Sequence, residues 1–206
     1  MPAPRTLILA STSRYRRELL ERLQLSFDVH APHVDETPLA DEPAAELARR
    51  LALAKAEAVA EHWPEAVVIG SDQVAELEGR LIGKPGNHER ATEQLRAMRG
   101  RSVRFETAVA VVCRASGFHA AALATVAVRF RSLSDAEIER YLRIEQPYDC
   151  AGSAKAEALG IVLLDAIDSD DPTALIGLPL IRTCELLRQA GLDPLGARAS
   201  RESPAR

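Results

Sequence analysis

The sequence predicts an α/β fold in which a mixed β-sheet is flanked by helices. Three observations carry this expectation: β-rich and helical segments alternate through the first half of the chain, two long β-rich runs follow one another in the middle, and helix-capping signals recur afterwards. Alternation alone would suit a purely parallel sheet. A central hairpin demands antiparallel pairing as well, and so points to a mixed sheet.

The elements read as follows. A short apolar strand, Thr6–Ala10, opens the chain and leads through a hydroxyl and arginine loop, Ser11–Arg17, into a helical segment, Glu18–Leu23. A second strand near Phe27–His30 precedes the acidic loop His33–Pro38. Pro43 opens a long helix to about His62, because Leu47, Leu51, Ala54 and Ala58 recur on one helical face. Ala66–Ser71 is β-rich, and Glu78-Gly79 supplies the turn between Val74–Leu77 and Arg80–Ile82. Asn87 caps a helix ending near Gly100. The runs Val103–Arg114 and Phe118–Phe130, joined by Ala115, Ser116 and Gly117, form the hairpin. Ser134 and Glu137 make a capping box for the helix Asp135–Ile144. A glycine-containing loop, Cys150–Ser153, precedes the apolar run Ile161–Leu164, and a last helix near Pro179–Ala190 stops at Gly191. Residues 1–196 are expected to form one α/β domain, and 197–206, without apolar periodicity, a disordered tail.

At 47% hydrophobic and 27% charged residues, the 206-residue chain can bury a full core, which excludes a disordered protein. No apolar stretch approaches the roughly 20 residues needed to cross a bilayer. Leu7–Ala10 is too short for a signal peptide, so the expected location is the cytoplasm. Cys113, Cys150 and Cys184 are far apart and form no CxxC pair, which argues against a disulfide framework or a structural zinc site. The net charge of -4 argues against gripping nucleic acid by a broad basic face. A small anionic ligand remains compatible, since a local cationic pocket is enough.

Several segments carry groups suited to such a ligand. Ser11, Thr12 and Ser13, with Arg14, Arg16 and Arg17, lie between a strand end and a helix start. Hydroxyls, free backbone N–H groups and the helix dipole there favour a phosphate, and arginine adds a bidentate fork. It is not a Walker loop, having no glycines. Taken alone, the segment reads more simply as a Ser13 N-cap beside a solvated basic patch. Asp35 and Glu36 occupy a turn-like loop, and Asp72 closes an apolar strand; three carboxylates from separate elements could hold magnesium together with substrate phosphates. Singly, each reads as a loop or turn residue. Lys55 borders the apolar stripe of the long helix and Lys84 stands in a GKP turn, so both could neutralise phosphate charge. By itself, Lys55 reads as a snorkelling side chain. His30 and His33 lie near Asp28, Asp35 and Glu36 but lack the spacing of a zinc motif.

Taken together, ASTSRYRRELL, VDET, the lysine of RLALAKAEA, IGSDQV, the GKP turn, and AGSAKAEALGI followed by GLPL resemble the Maf family in this order, from about Leu7 to Leu195. The resemblance implies an elongated α/β fold of the Maf and ITPase-like kind, with two lobes around a central cleft, and a homodimer. It also implies cleavage between the α and β phosphates of a nucleotide with a divalent cation, Mg2+ or Mn2+, and no nucleic-acid or membrane partner. By matching positions, Ser11, Ser13 and Arg16 would bind phosphate, Glu36 and Asp72 would serve the metal and water, and Lys55 and Lys84 would neutralise charge. Asp72 would act as general base.

The family branch acting on dTTP and UTP carries arginine, threonine and glutamine where this chain has Tyr15, Gln73 and Glu157. The present residues resemble instead the branch acting on 7-methyl-GTP, although tyrosine replaces its usual tryptophan. The chemistry agrees: a positively charged N7-methylated guanine gains a cation–π contribution of about 0.5–2 kcal/mol on an aromatic face. A carboxylate also accepts from guanine's N1–H and amino group. The competing expectations are turnover of UTP, dTTP or CTP, and a nucleotide-binding regulator of septum formation without turnover.

Overall fold

The computed structural model describes residues 5–196; the tail expected at 197–206 lies outside them. In chain order the elements are β1 (Leu7–Ala10), α1 (Arg14–Glu21), β2 (Asp28–His30), α2 (Ala44–Ala60), β3 (Val67–Leu77) and β4 (Arg80–Ile82). There follow α3 (His88–Met98), β5 (Ser102–Cys113), β6 (Phe118–Phe130), α4 (Asp135–Glu145), β7 (Leu164–Asp168) and α5 (Leu180–Gln189). The sheet is mixed, in the order β2-β1-β3-β5-β6-β7, with β4 also paired to β3. β1 runs parallel to β2 and β3, and all remaining pairs are antiparallel.

Local capping chemistry behaves as the sequence suggests. Ser13, Asn87 and Ser134 cap α1, α3 and α4, and Ser134 with Glu137 forms a full capping box. Glu78 (φ 52) and Gly79 (φ 80) make a two-residue turn with both φ values positive, the twist a tight hairpin requires.

Three boundaries differ from expectation. The first helix begins at Arg14, not Glu18, because the Ser13 hydroxyl already accepts from Arg16 N; the arginines therefore lie in its first turns. Ala66–Ser71 and Val74–Leu77 belong to one strand, since β5 pairs with β3 continuously from Val68 to Glu76 and holds the polar Ser71, Asp72 and Gln73 in the ladder. The apolar run Ile161–Leu164 is mainly a 3-10 turn, Leu159–Leu163, with Ile161 and Val162 about half exposed. The strand that follows, LDAID, pairs only with β6 and has too few apolar residues to announce itself.

One face of the β1–β3–β5 half of the sheet is covered by α2, the other by α1 and α5; α3 and α4 pack against β5 and β6 farther along. The α2 contact is unusually close. A Cβ on Gly70 would lie 2.1 Å from Ala52 O and 2.6 Å from Ala56 N. Only glycine at this strand position, facing the alanines of α2, lets helix and sheet approach so far. Leu47 and Leu51 are buried on the same helix face, where each contributes roughly 1.5–3 kcal/mol.

The edge of β3 has a break with functional consequences. Its first residues, Val67–Gly70, pair with β1, and Ala75–Leu77 pair with β4. Between them Ser71–Val74 meet neither strand on that edge. β1 ends at Ala10 opposite Gly70, so the loop after β1 leaves the sheet beside this gap.

Candidate active site

A cavity of about 900 Å³ opens at the gap, and each of the ten residues that the family resemblance singles out lines it. Strand alternation sends Asp72 to the α2 face, with Gly70 and Val74, and Gln73 to the opposite face. The unpaired edge lets both reach the same space.

On the α2 side, Lys55 is almost wholly buried and its Nζ lies 2.6 Å from Asp72 Oδ1 and 2.7 Å from Glu36 Oε1. Its ammonium therefore points inward rather than snorkelling to water. The close approach at Gly70 explains the geometry: it sets α2 just above β3, so Lys55, next to Ala56, meets a carboxylate on the strand. Asp72 is itself 7% exposed, and Arg16 Nη2 lies 3.9 Å from its Oδ1. Asp72 Oδ2 makes no hydrogen bond among the described residues, and none of their buried side-chain polar atoms lacks a partner. Oδ2 is thus the oxygen open to the cavity.

Around this pair the cationic groups converge. Arg16 Nε donates to Gly177 O at 2.9 Å, which fixes the guanidinium plane. Burial pushes the Arg16 pKa below its usual value, while Asp72 and Glu36 pull it back up. Burial also raises the pKa of Glu36, but Lys55, Lys84 and Arg16 outweigh it, and the net direction is down. The exposed Lys84 completes the cationic rim. Ser11 Oγ accepts from Ser13 N at 3.1 Å, and Ser13 caps α1, so the hydroxyls stand at a helix N-terminus whose dipole favours an anion.

Glu36 and Asp72 fit a divalent cation in donor type, since both present hard carboxylate oxygens to the one cavity. Magnesium is commonly held by one or two carboxylates with substrate phosphates completing its shell. No group of three or more His, Cys, Asp and Glu residues suited to a metal occurs among the described residues. Asp35, expected as a third carboxylate, does not line the cavity; its Oδ1 accepts from Thr37 N at 2.9 Å in a local turn. The His30 ring packs against Trp63, with centroids 5.1 Å apart.

Tyr15, Gln73 and Glu157 also line the cavity. The Tyr15 hydroxyl donates to Asp149 Oδ2 at 3.2 Å, and the Arg14 guanidinium lies 4.7 Å from the ring centroid. Burial raises the Tyr15 pKa, against the Arg14 hydrogen bond. Burial, followed by the neighbouring Asp149, pushes the Cys150 thiol up to about 11, so it is uncharged near neutrality. The sequence reasoning missed Asp149, Thr107 and the carbonyls of Ala174, Leu175 and Gly177. Nothing local marks a carbonyl acceptor, although the GLPL motif lay beside them.

The chain is similar to known proteins over nearly all of its described length. The family described as Maf-like protein matches residues 6–190. A Polaromonas protein named 7-methyl-GTP pyrophosphatase is 66% identical over 191 residues, covering 93% of this chain and 87% of its own. A protein of the same name from Albidiferax ferrireducens is 64% identical over 95% of this chain and 98% of its own. Another, from Bordetella pertussis, is 59% identical over 95% and 98%. Among solved structures, the Staphylococcus aureus Ham1 protein superposes with a TM-score of 0.45 at 17% identity, covering 62% of this chain and 73% of that one. With the family profile covering nearly the whole described chain, and with relatives this similar, the protein belongs to the Maf family.

Proposed function

We propose that this chain hydrolyses a nucleoside triphosphate to a nucleoside monophosphate and pyrophosphate, with 7-methyl-GTP as substrate. The observation that carries the reading is Lys55, buried between Asp72 and Glu36 at a cavity whose rim adds Arg16 and Lys84. Such a cluster matches a polyphosphate in charge, and its acids provide a proton acceptor that mere binding would not need. The names of the relatives support the substrate.

In the reaction, a water oxygen bonds to phosphorus at the α–β bridge, the bridging P–O bond breaks, and its electron pair leaves with one phosphate product. Asp72 Oδ2, open to the cavity, takes the water proton and returns it to solvent. Lys55 holds Asp72 Oδ1, so the free oxygen keeps one direction. Arg16, Lys84 and the α1 N-terminus offset the charge developing on phosphate oxygens. Glu36 and Asp72 would hold a divalent cation, Mg2+ or Mn2+, which when bound draws phosphate oxygens and makes water more acidic. Tyr15 would stack on the base, and Glu157 would accept from guanine's N1–H and amino group. One continuous sheet from β2 to β7 supports reading the described residues, 5–196, as a single domain. Homodimer formation and a cytoplasmic location belong to the same reading.

The test is product analysis with a panel of triphosphates and each metal. Pyrophosphate and 7-methyl-GMP should appear together, with 7-methyl-GTP preferred over UTP, dTTP and CTP. Orthophosphate with a diphosphate would overturn the bond assignment. Tight binding without turnover would support the regulator instead.

A further inference from the structure

Gln73 and Thr107 are registered opposite each other on β3 and β5. Gln73 Nε2 has three acceptors within hydrogen-bond distance, Thr107 Oγ1 at 3.0 Å, Ala174 O at 2.9 Å and Leu175 O at 3.0 Å, so one of its two hydrogens is shared between two of them. Thr107 Oγ1 sends its own hydrogen to Ala174 O at 2.9 Å, which leaves a lone pair facing the glutamine. Turning the amide over would set its oxygen against two carbonyl oxygens, so one orientation is enforced. The carbonyls are themselves held firmly: the buried Asp171 accepts from Thr173 N, Thr173 Oγ1 and Ile181 N, anchoring both ends of the segment that carries them. Gln73 Oε1 makes no hydrogen bond to the described residues, none of whose buried side-chain polar atoms is unpartnered, and Gln73 lines the cavity. The oxygen is therefore the end of the amide left to a ligand.

From this geometry we infer that Thr107 is a positioning residue which, together with the Ala174 and Leu175 carbonyls, holds Gln73 so that it presents only an acceptor to the base. This rests on the function proposed above. Gln73 Oε1 offers the cavity only an acceptor, as does the Glu157 carboxylate that also lines it. It suits guanine, whose N1–H and amino group are adjacent donors, and opposes uracil, whose N3–H is flanked by two carbonyl oxygens. Specificity thus depends on a residue behind the site as well as on those lining it. Without the Thr107 hydroxyl the two carbonyls still set the orientation, but Ala174 O loses a donor and the amide loses an acceptor, so Gln73 Oε1 is held less firmly toward guanine and the preference narrows.

The experiment compares Thr107→Val, which keeps the volume but loses the hydroxyl, with Thr107→Ser, which retains it. The ratio of kcat/KM for 7-methyl-GTP to that for UTP should fall about three- to tenfold in Thr107→Val, the scale of one neutral hydrogen bond, and stay within about twofold in Thr107→Ser. Equal losses on both substrates in Thr107→Val would reduce Thr107 to a packing residue and overturn the inference. Side-chain amide NMR of the unliganded protein supplies a readout independent of turnover. The Gln73 N–H2 signals should be protected from solvent exchange in the native chain and exchange measurably faster in Thr107→Val. Exchange in the native chain as fast as in free glutamine would overturn the inference even if catalysis were as proposed. Protected signals in a native protein that turns over no triphosphate would retain the lock and reject the proposed function.

Discussion

Replacing Lys55 by Met tests the central ion pair with little change in side-chain volume. Lys55 Nζ lies 2.6 Å from Asp72 Oδ1 and 2.7 Å from Glu36 Oε1. Removing one member of a buried pair costs roughly 3–5 kcal/mol, because the other charge stays buried without compensation. Two features place the present case near the low end. The Glu36 side chain is 59% exposed, so its share is at most about 1 kcal/mol after solvent screening. Asp72 also keeps Arg16, at 3.9 Å. The expected loss is therefore about 3 kcal/mol, read from urea denaturation. Pyrophosphate release should fall about 100- to 1,000-fold, as for loss of one preorganised charge at the reacting group. The double variant Lys55→Met with Asp72→Asn separates the effects: part of the stability should return, since Asp72 is no longer a lone buried charge although Arg16 loses its partner, while activity stays low. A Lys55→Met protein within about 0.5 kcal/mol of native stability and with near-native turnover would refute the reasoning.

Other substitutions probe different parts of the argument. Gly70→Ala should cost about 1–3 kcal/mol or more by overpacking, because the new methyl must displace Ala52 O and Ala56 N of α2. It should also lower turnover by moving Lys55 from Asp72; native activity in the variant would show that the close approach is unnecessary. Glu157→Gln should reduce kcat/KM for 7-methyl-GTP at least about tenfold more than for UTP, as expected for hydrogen bonds to a charged group, whereas parallel losses would remove Glu157 from base recognition. Glu137 is held at a pKa of about 2, against an ordinary 4.5, chiefly by the Ser134 backbone N–H and hydroxyl and then by Arg131. Because the folded pKa is depressed, its contribution is complete above about pH 4.5 and is lost as pH falls through about 2. The stability gap between native protein and Glu137→Gln should accordingly be widest near neutrality and close in acid; a gap independent of pH would remove the ionised carboxylate from the cap.

Much of the architecture was legible because its signals are local. The Ser13, Asn87 and Ser134–Glu137 caps and the Glu78-Gly79 turn satisfy backbone groups within a few residues, so neighbouring side chains suffice to mark them. β7 was obscure for the converse reason, since its ladder comes from β6 and its few apolar residues show little periodicity. The candidate site was legible as an inventory of acids, cations and hydroxyls, but not as an arrangement.

By itself, the sequence determined the mixed α/β class, the main turns and the residue types able to meet a phosphate. Tertiary structure decided whether Lys55 would snorkel or turn inward, which of Asp35 and Glu36 would face the cavity, and which end of the Gln73 amide a ligand would meet. The physical reason is distance along the chain: Lys55 finds Asp72 17 residues away and Gln73 finds Ala174 101 residues away. Such orientations follow from how α2 and the Ala174–Leu175 segment pack against β3, where a buried polar group must find whatever partner the fold brings near.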